Sequence, residues 1–157
     1  MREQFTQLLL DVTELEPRID TIDQVKRDSG EAWIIDLEDG PLVFVEFNEL
    51  SGMLCLRVPV EVPECDDKVE FLSSLLRYNG LWLETGGVCM ALDEDGQDYH
   101  LLLPVVAQGL APDQLGRLLT AIVIRAEEWQ DALAARSPES NTNEPQDDSD
   151  SANFVRV

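Results

Sequence analysis

The chain has 157 residues, enough for one domain with a real core, and its 44% hydrophobic content excludes wholesale disorder. Its 32 acids against 11 bases give a formal net charge of −21. A surface this negative repels phosphate backbones and anionic lipid, which excludes nucleic acid and membrane surfaces as partners and favours a basic or polar polypeptide.

In chain order, Phe5, Leu8, Leu9, Val12 and Leu15 recur at spacings of three and four and predict a first helix, which Pro17 stops. Residues 17–30 are polar with weak periodicity and read as a loop closed by a turn at Asp28-Ser29-Gly30. Three strands follow. Trp33, Ile35 and Leu37 alternate with Ala32, Ile34 and Asp36; Val43, Val45 and Phe47 alternate with Leu42, Phe44 and Glu46; Leu54, Leu56 and Val58 alternate with Met53, Cys55 and Arg57. Matching the wholly apolar faces sets an odd loop around Asp39-Gly40-Pro41, with Leu37 opposite Val43, and an even loop between Phe47 and Leu54. The meander then has one buried face and one mixed face that carries Ile34, Phe44, Met53 and Cys55 among Asp36, Glu46 and Arg57.

Residues 59–67 form a loop, and a second helix runs from about Asp67 to Tyr78 with Val69, Leu72, Leu75 and Leu76 on one side. Asn79-Gly80 reads as its left-handed C-terminal cap. Leu81-Trp82-Leu83 starts another strand, Thr85-Gly86-Gly87 turns it back, and 88–92 and 99–103 make a hairpin around Asp95-Gly96. Pro112 opens a long third helix with Leu115, Leu118, Leu119, Ile122, Ala126, Trp129 and Leu133 as its stripe. The fold class is α+β, ordered helix–three strands–helix–three strands–helix, with an antiparallel twisted sheet under the helices. Residues 1–136 form the domain; 137–157 read as a disordered acidic tail with an apolar end, Phe154-Val155-Arg156-Val157.

The side chains that could carry chemistry fail on spacing. Cys55, Cys65 and Cys89 form no CxxC pair and have one histidine between them, so they lack metal-ligand spacing; Cys55 and Cys89 sit in apolar runs as small hydrophobes. Asp93-Glu94-Asp95-Gly96 resembles the start of a calcium loop, but the twelfth position is Pro104 rather than a bidentate acid, so a hairpin turn is expected. His100 is a lone strand histidine without placed partners. Glu127-Glu128 and Asp66-Asp67 are neighbours in charge-rich segments and read as solvated faces, and Gly86-Gly87 is too short to cradle phosphate. No enzyme, metal or cofactor is expected. Reduced thiols, an N-terminus without a signal-peptide pattern, and no window near the ~18 apolar residues of a membrane span place the protein in the cytoplasm.

The stronger motifs lie in residues 75–133: Leu75-Leu76-Arg77-Tyr78-Asn79, Glu84-Thr85-Gly86-Gly87, Met90-Ala91-Leu92-Asp93, Leu101-Leu102-Leu103-Pro104 and Ala126-Glu127-Glu128-Trp129. With the element order, size and acidity, they resemble the class I type III secretion chaperones, the family that includes the Tir chaperone, over residues 1–135. The longer, less apolar stretch at 17–30 departs from that pattern. The resemblance implies a homodimer, joined through the second helix and neighbouring strands. It also implies a secreted effector protein as partner, its N-terminal segment wrapped in extended form, and the secretion ATPase as a further partner.

Surplus apolar surface at Leu72, Leu75, Leu76, Tyr78 and Trp82 makes those the dimer-interface candidates. Ile34, Phe44, Met53 and Cys55 are the effector-binding candidates, with Leu10 on the first helix as the other. Two other readings stand beside the chaperone: an export or regulatory adaptor of similar build outside type III secretion, and a small hydrolase. The hydrolase reading lacks a nucleophile–base pair.

Overall fold

The computed structural model describes residues 2–27, 30–62, 68–93, 95–96 and 98–135. The stretch 137–157, the pair Asp66-Asp67, Cys65 and the turn residues Asp28-Ser29 lie outside the described residues. In chain order the elements are α1 (Arg2–Leu15), β1 (Ile19–Arg27), β2 (Gly30–Leu37), β3 (Val43–Asn48), β4 (Met53–Val60), α2 (Lys68–Gly80), β5 (Cys89–Leu92), β6 (Tyr99–Val106) and α3 (Pro112–Ala134). The strands form one six-stranded sheet in the order β1-β2-β3-β4-β6-β5, with every neighbouring pair antiparallel.

The α+β class with three helices on an antiparallel sheet is as expected, but the strand pattern differs in two places. The first run has four strands, because residues 19–27 pair with β2 rather than looping. The second has two, because Leu81 to Gly87 are a chain of turns. The turn is held by Leu81 N–H to Tyr78 O at 2.9 Å, Thr85 N–H to Leu81 O at 2.9 Å and Gly87 N–H to Trp82 O at 2.7 Å.

Two register expectations fared differently. Phe47 stands opposite Leu54, which is the even loop read from the apolar faces. Ile35, not Leu37, stands opposite Val43. This two-residue shift keeps every side chain on its face, so the hydrophobic pattern could not detect it. The expected left-handed cap at Asn79-Gly80 is also corrected, since neither residue takes positive φ.

The core fills the space between the sheet's inner face and the helices. Val12, Ile35, Val43, Val45, Leu54, Leu56, Val58, Leu101, Leu115 and Ile122 exclude solvent completely. α1 enters through Phe5, whose ring meets Trp33 edge-on at 4.8 Å and stacks on Phe47 at 5.4 Å. α3 begins at Pro112, where the missing N–H costs no helix bond; Gln114 Oε1 accepts the Ala111 N–H at 2.9 Å and closes that end. α2 packs beside β5 through Leu75 and through Phe71, which meets Tyr99 edge-on at 5.4 Å. All three helices therefore sit on one side of the sheet.

Candidate binding face

Because side chains alternate along a strand, covering one sheet face with helices leaves the other bare. The pairing shows what lies there. Ile34 is opposite Phe44, Phe44 opposite Arg57, Glu46 opposite Cys55, and Asn48 opposite Met53. Across the next pair Met53 faces Val106, Cys55 faces Pro104 and Arg57 faces Leu102; Cys89 then faces Leu102 and Ala91 faces His100. The four strand residues singled out from sequence, Ile34, Phe44, Met53 and Cys55, thus lie together, each half-buried and outside the core cluster.

Sequence reasoning missed the half of the face supplied by Cys89, Leu102, Pro104 and Val106. A strand at 99–103 was read from the sequence, but its extension to Val106 and the pairing of β6 with β4, across the intervening α2, were not. Leu10 is not brought to this face. It is exposed on α1, whose buried residues pack on the inner side.

The face is polar only along one line. Arg57 Nη2 holds Glu46 Oε1 at 3.0 Å, and its guanidinium lies 5.3 Å over the Phe44 ring. This pairing offsets both charges and lowers what it costs to cover them. Burial, then the nearby Glu46 charge, push the Cys55 thiol above its ordinary pKa, and burial does the same at Cys89. Neither thiol is therefore activated in the way a catalytic nucleophile or metal ligand is. Among the described residues no group of three or more His, Cys, Asp or Glu is placed to hold a metal ion, and no helix is long and apolar enough to cross a membrane.

The second candidate set divides. Leu75 belongs to the core at 6% exposure, Leu72 packs against that core, and Tyr78 meets Trp129 edge-on at 5.0 Å. Leu76 (72% exposed) and Trp82 (60% exposed) face outward. Val69, Leu81, Leu83 and Leu92 are exposed with them, so the α2–β5 end of the molecule carries a dense apolar patch. A separate cavity of about 800 Å³ opens between α1 and residues 107–112, lined by Phe5, Leu8, Phe47 and Leu110. No motif announced it, because it depends on the approach of two distant segments.

The family model for the Tir chaperone protein (CesT) family matches residues 12–130. The chain belongs to that family, the class I type III secretion chaperones of the CesT/Tir type. No curated protein matches it significantly.

Among solved structures, the ExsC–ExsE complex superposes with a TM-score of 0.65 at 18% identity, covering 84% of this chain and 97% of that chain. The HopA1–SchA chaperone–effector complex gives 0.61 at 18% identity, covering 81% and 93%. The Yersinia pestis type III secretion chaperone SycH, in complex with a stable fragment of YscM2, gives 0.57 at 18% identity, covering 78% and 97%. At such identities these similarities establish the shared fold.

Proposed function

We propose that this chain is a cytoplasmic secretion chaperone that works as a homodimer. It seats the N-terminal segment of a secreted effector on its uncovered sheet face and keeps that segment unfolded until export. One observation carries this reading: an apolar face spanning β2, β3, β4 and β6, with Ile34, Phe44, Met53, Cys55, Leu102 and Val106, that no helix of the described chain covers. Two of the similar structures are a chaperone–effector complex and a type III secretion chaperone with a bound fragment, which supports the same use here. An extended segment suits a flat pleated surface, since alternate side chains drop between the rows of the sheet. The action is binding, with no bond made or broken.

Covering an aromatic such as Phe44 stabilises a complex by roughly 1.5–3 kcal/mol, and a charge placed there loses that and adds a desolvation cost. The test is capture by the tagged chain from its source bacterium, with the bound protein identified by mass spectrometry. The wild-type chain should retain the N-terminal segment of a secreted protein. Phe44→Asp should weaken that binding at least ~10-fold, with circular dichroism and light scattering unchanged. A folded Phe44→Asp variant that binds normally would move the client elsewhere, the α1 surface around Leu10 or the neighbouring cavity being the next candidates.

A further inference from the structure

The helix layer is incomplete at one end of the sheet. Between α1 and residues 107–112 it leaves the cavity of about 800 Å³, a volume in the range of sites that enclose a whole ligand. The stacked rings of Phe5 and Phe47 line it together with Leu8 and Leu110. Among the described residues that line it, Asp11 is the charged one, and its Oδ1 accepts from Gln7 Nε2 at 2.7 Å.

This cavity and the outer face meet around the ends of β3, β4 and β6. Val106 lies on the outer face opposite Met53, and the next residue, Ala107, lines the cavity. On β3 the same step occurs: Phe47 lines the cavity and Asn48 stands opposite Met53. The turn 48–52 is fastened at this point, since Ala107 N–H donates to Gly52 O at 3.0 Å. The rim carries open apolar side chains: Val106 is exposed, and Leu50 in that turn is fully so. Its charge is negative. Glu49 lies two residues beyond Phe47, and Asp113 follows Pro112 and already holds Arg117 at 3.0 Å.

We propose that the effector segment continues from the outer face around this rim and anchors an apolar side chain in the cavity, with a neighbouring Lys or Arg set against Asp11. This seat extends the chaperone reading above and rests on it. Extended chain advances about 3.3 Å per residue and packed layers lie about 10 Å apart, so roughly three to six residues of the segment span the rim. Other occupants fit worse. An acidic segment meets Asp11 on a chain of net charge −21, and a wholly apolar one covers that carboxylate without a counter-charge. Residues 137–157 of this chain carry five acids and one base, so their charge opposes entry.

The test uses the full chain and the segment recovered by capture, synthesised as a labelled peptide and read by fluorescence anisotropy. Asp11→Lys reverses the charge in the cavity and should weaken binding about 10-fold. Each Lys and Arg of the peptide is then changed to Glu. One position should lose affinity for the wild-type chain and recover it with Asp11→Lys. Ala107→Phe fills the cavity from its rim and should also weaken binding about 10-fold, with circular dichroism unchanged. Gln108→Cys leaves the cavity unfilled, because Gln108 is an exposed part of its lining. Maleimide labelling of that introduced thiol, located by mass spectrometry, should slow at least ~10-fold when the peptide binds.

No basic position coupled to Asp11, or unchanged labelling beside the cavity with the peptide bound, overturns the seat. Labelling that quickens when the chain is truncated after Arg136 gives the cavity to the chain's own end and also overturns it. Loss of binding in Phe44→Asp with full binding in Asp11→Lys overturns the cavity seat alone. Full binding in Phe44→Asp with loss in Asp11→Lys overturns the outer face and keeps the cavity. Full binding in both overturns the two together.

Discussion

Asn79 donates from Nδ2 to Met90 O at 2.9 Å and accepts the Met90 N–H at Oδ1 at 2.7 Å. Among the described residues β5 is an edge strand paired only with β6, so these two bonds satisfy backbone groups on its open side. They also fasten the end of α2 to the sheet, which fixes where the exposed Leu76 and Trp82 point. Asn79→Leu keeps the volume but leaves both Met90 groups unpaired. It should cost about 2 kcal/mol, read as a lower midpoint in urea with an unchanged slope; an unchanged midpoint would mean that water replaces the amide. The Leu-Leu-x-x-Asn run was visible in the sequence, but its role was not. A cap is a local inference, whereas the true partner lies eleven residues downstream, across the turns at Leu81–Gly87. Leu75 shows the same limit: it shares a helical stripe with Leu76, yet one residue of rotation separates core from solvent.

Elements were legible where the hydrophobic period was regular. β2, β3 and β4 alternate cleanly because one face is buried by helices, and α1 and α3 carry continuous stripes. β1 was missed for a structural reason. Its register shifts between Ile19 and Thr21, so Ile19 and Ile22 both face inward although they are three apart, and a period of two cannot fit them. As an edge strand it also needs few apolar residues.

Leu81-Trp82-Leu83 was misread in the opposite sense. Its apolar character, half or more exposed, does not come from packing inside a sheet. With Leu76 and Val69 it makes the α2–β5 end the proposed meeting place of two protomers. Light scattering should give twice 17.6 kDa for the wild-type chain. Leu76→Asp with Trp82→Ser should give a folded species of 17.6 kDa, because both side chains are exposed and their loss removes no core. A wild-type monomer at micromolar concentration would contradict the homodimer, and a double variant still dimeric would move its interface.

At the scale of the whole molecule, the sequence-readable features were one-sided faces and acidity. The strand order was not readable, because β4 reaches β6 across α2 and nothing local records that pairing. The consequence is a sheet with helices on one side and a bare, mostly apolar surface on the other. Residues 137–157 offer no apolar side chain until Ala152, and truncation after Arg136 should leave the melting temperature within about 2 °C. A drop of many degrees would show that Phe154–Val157 docks on the domain.

Cys55 and Cys89 give the bare face two native reporters, both half-buried and on the same side of the sheet. The most direct measurement is the rate of maleimide labelling at these two thiols in a Cys65→Ser background, with and without the effector segment. If the segment lies across the outer face, both rates should fall at least ~10-fold on binding. Unchanged rates at both thiols, with the segment demonstrably bound, would place the client on another surface.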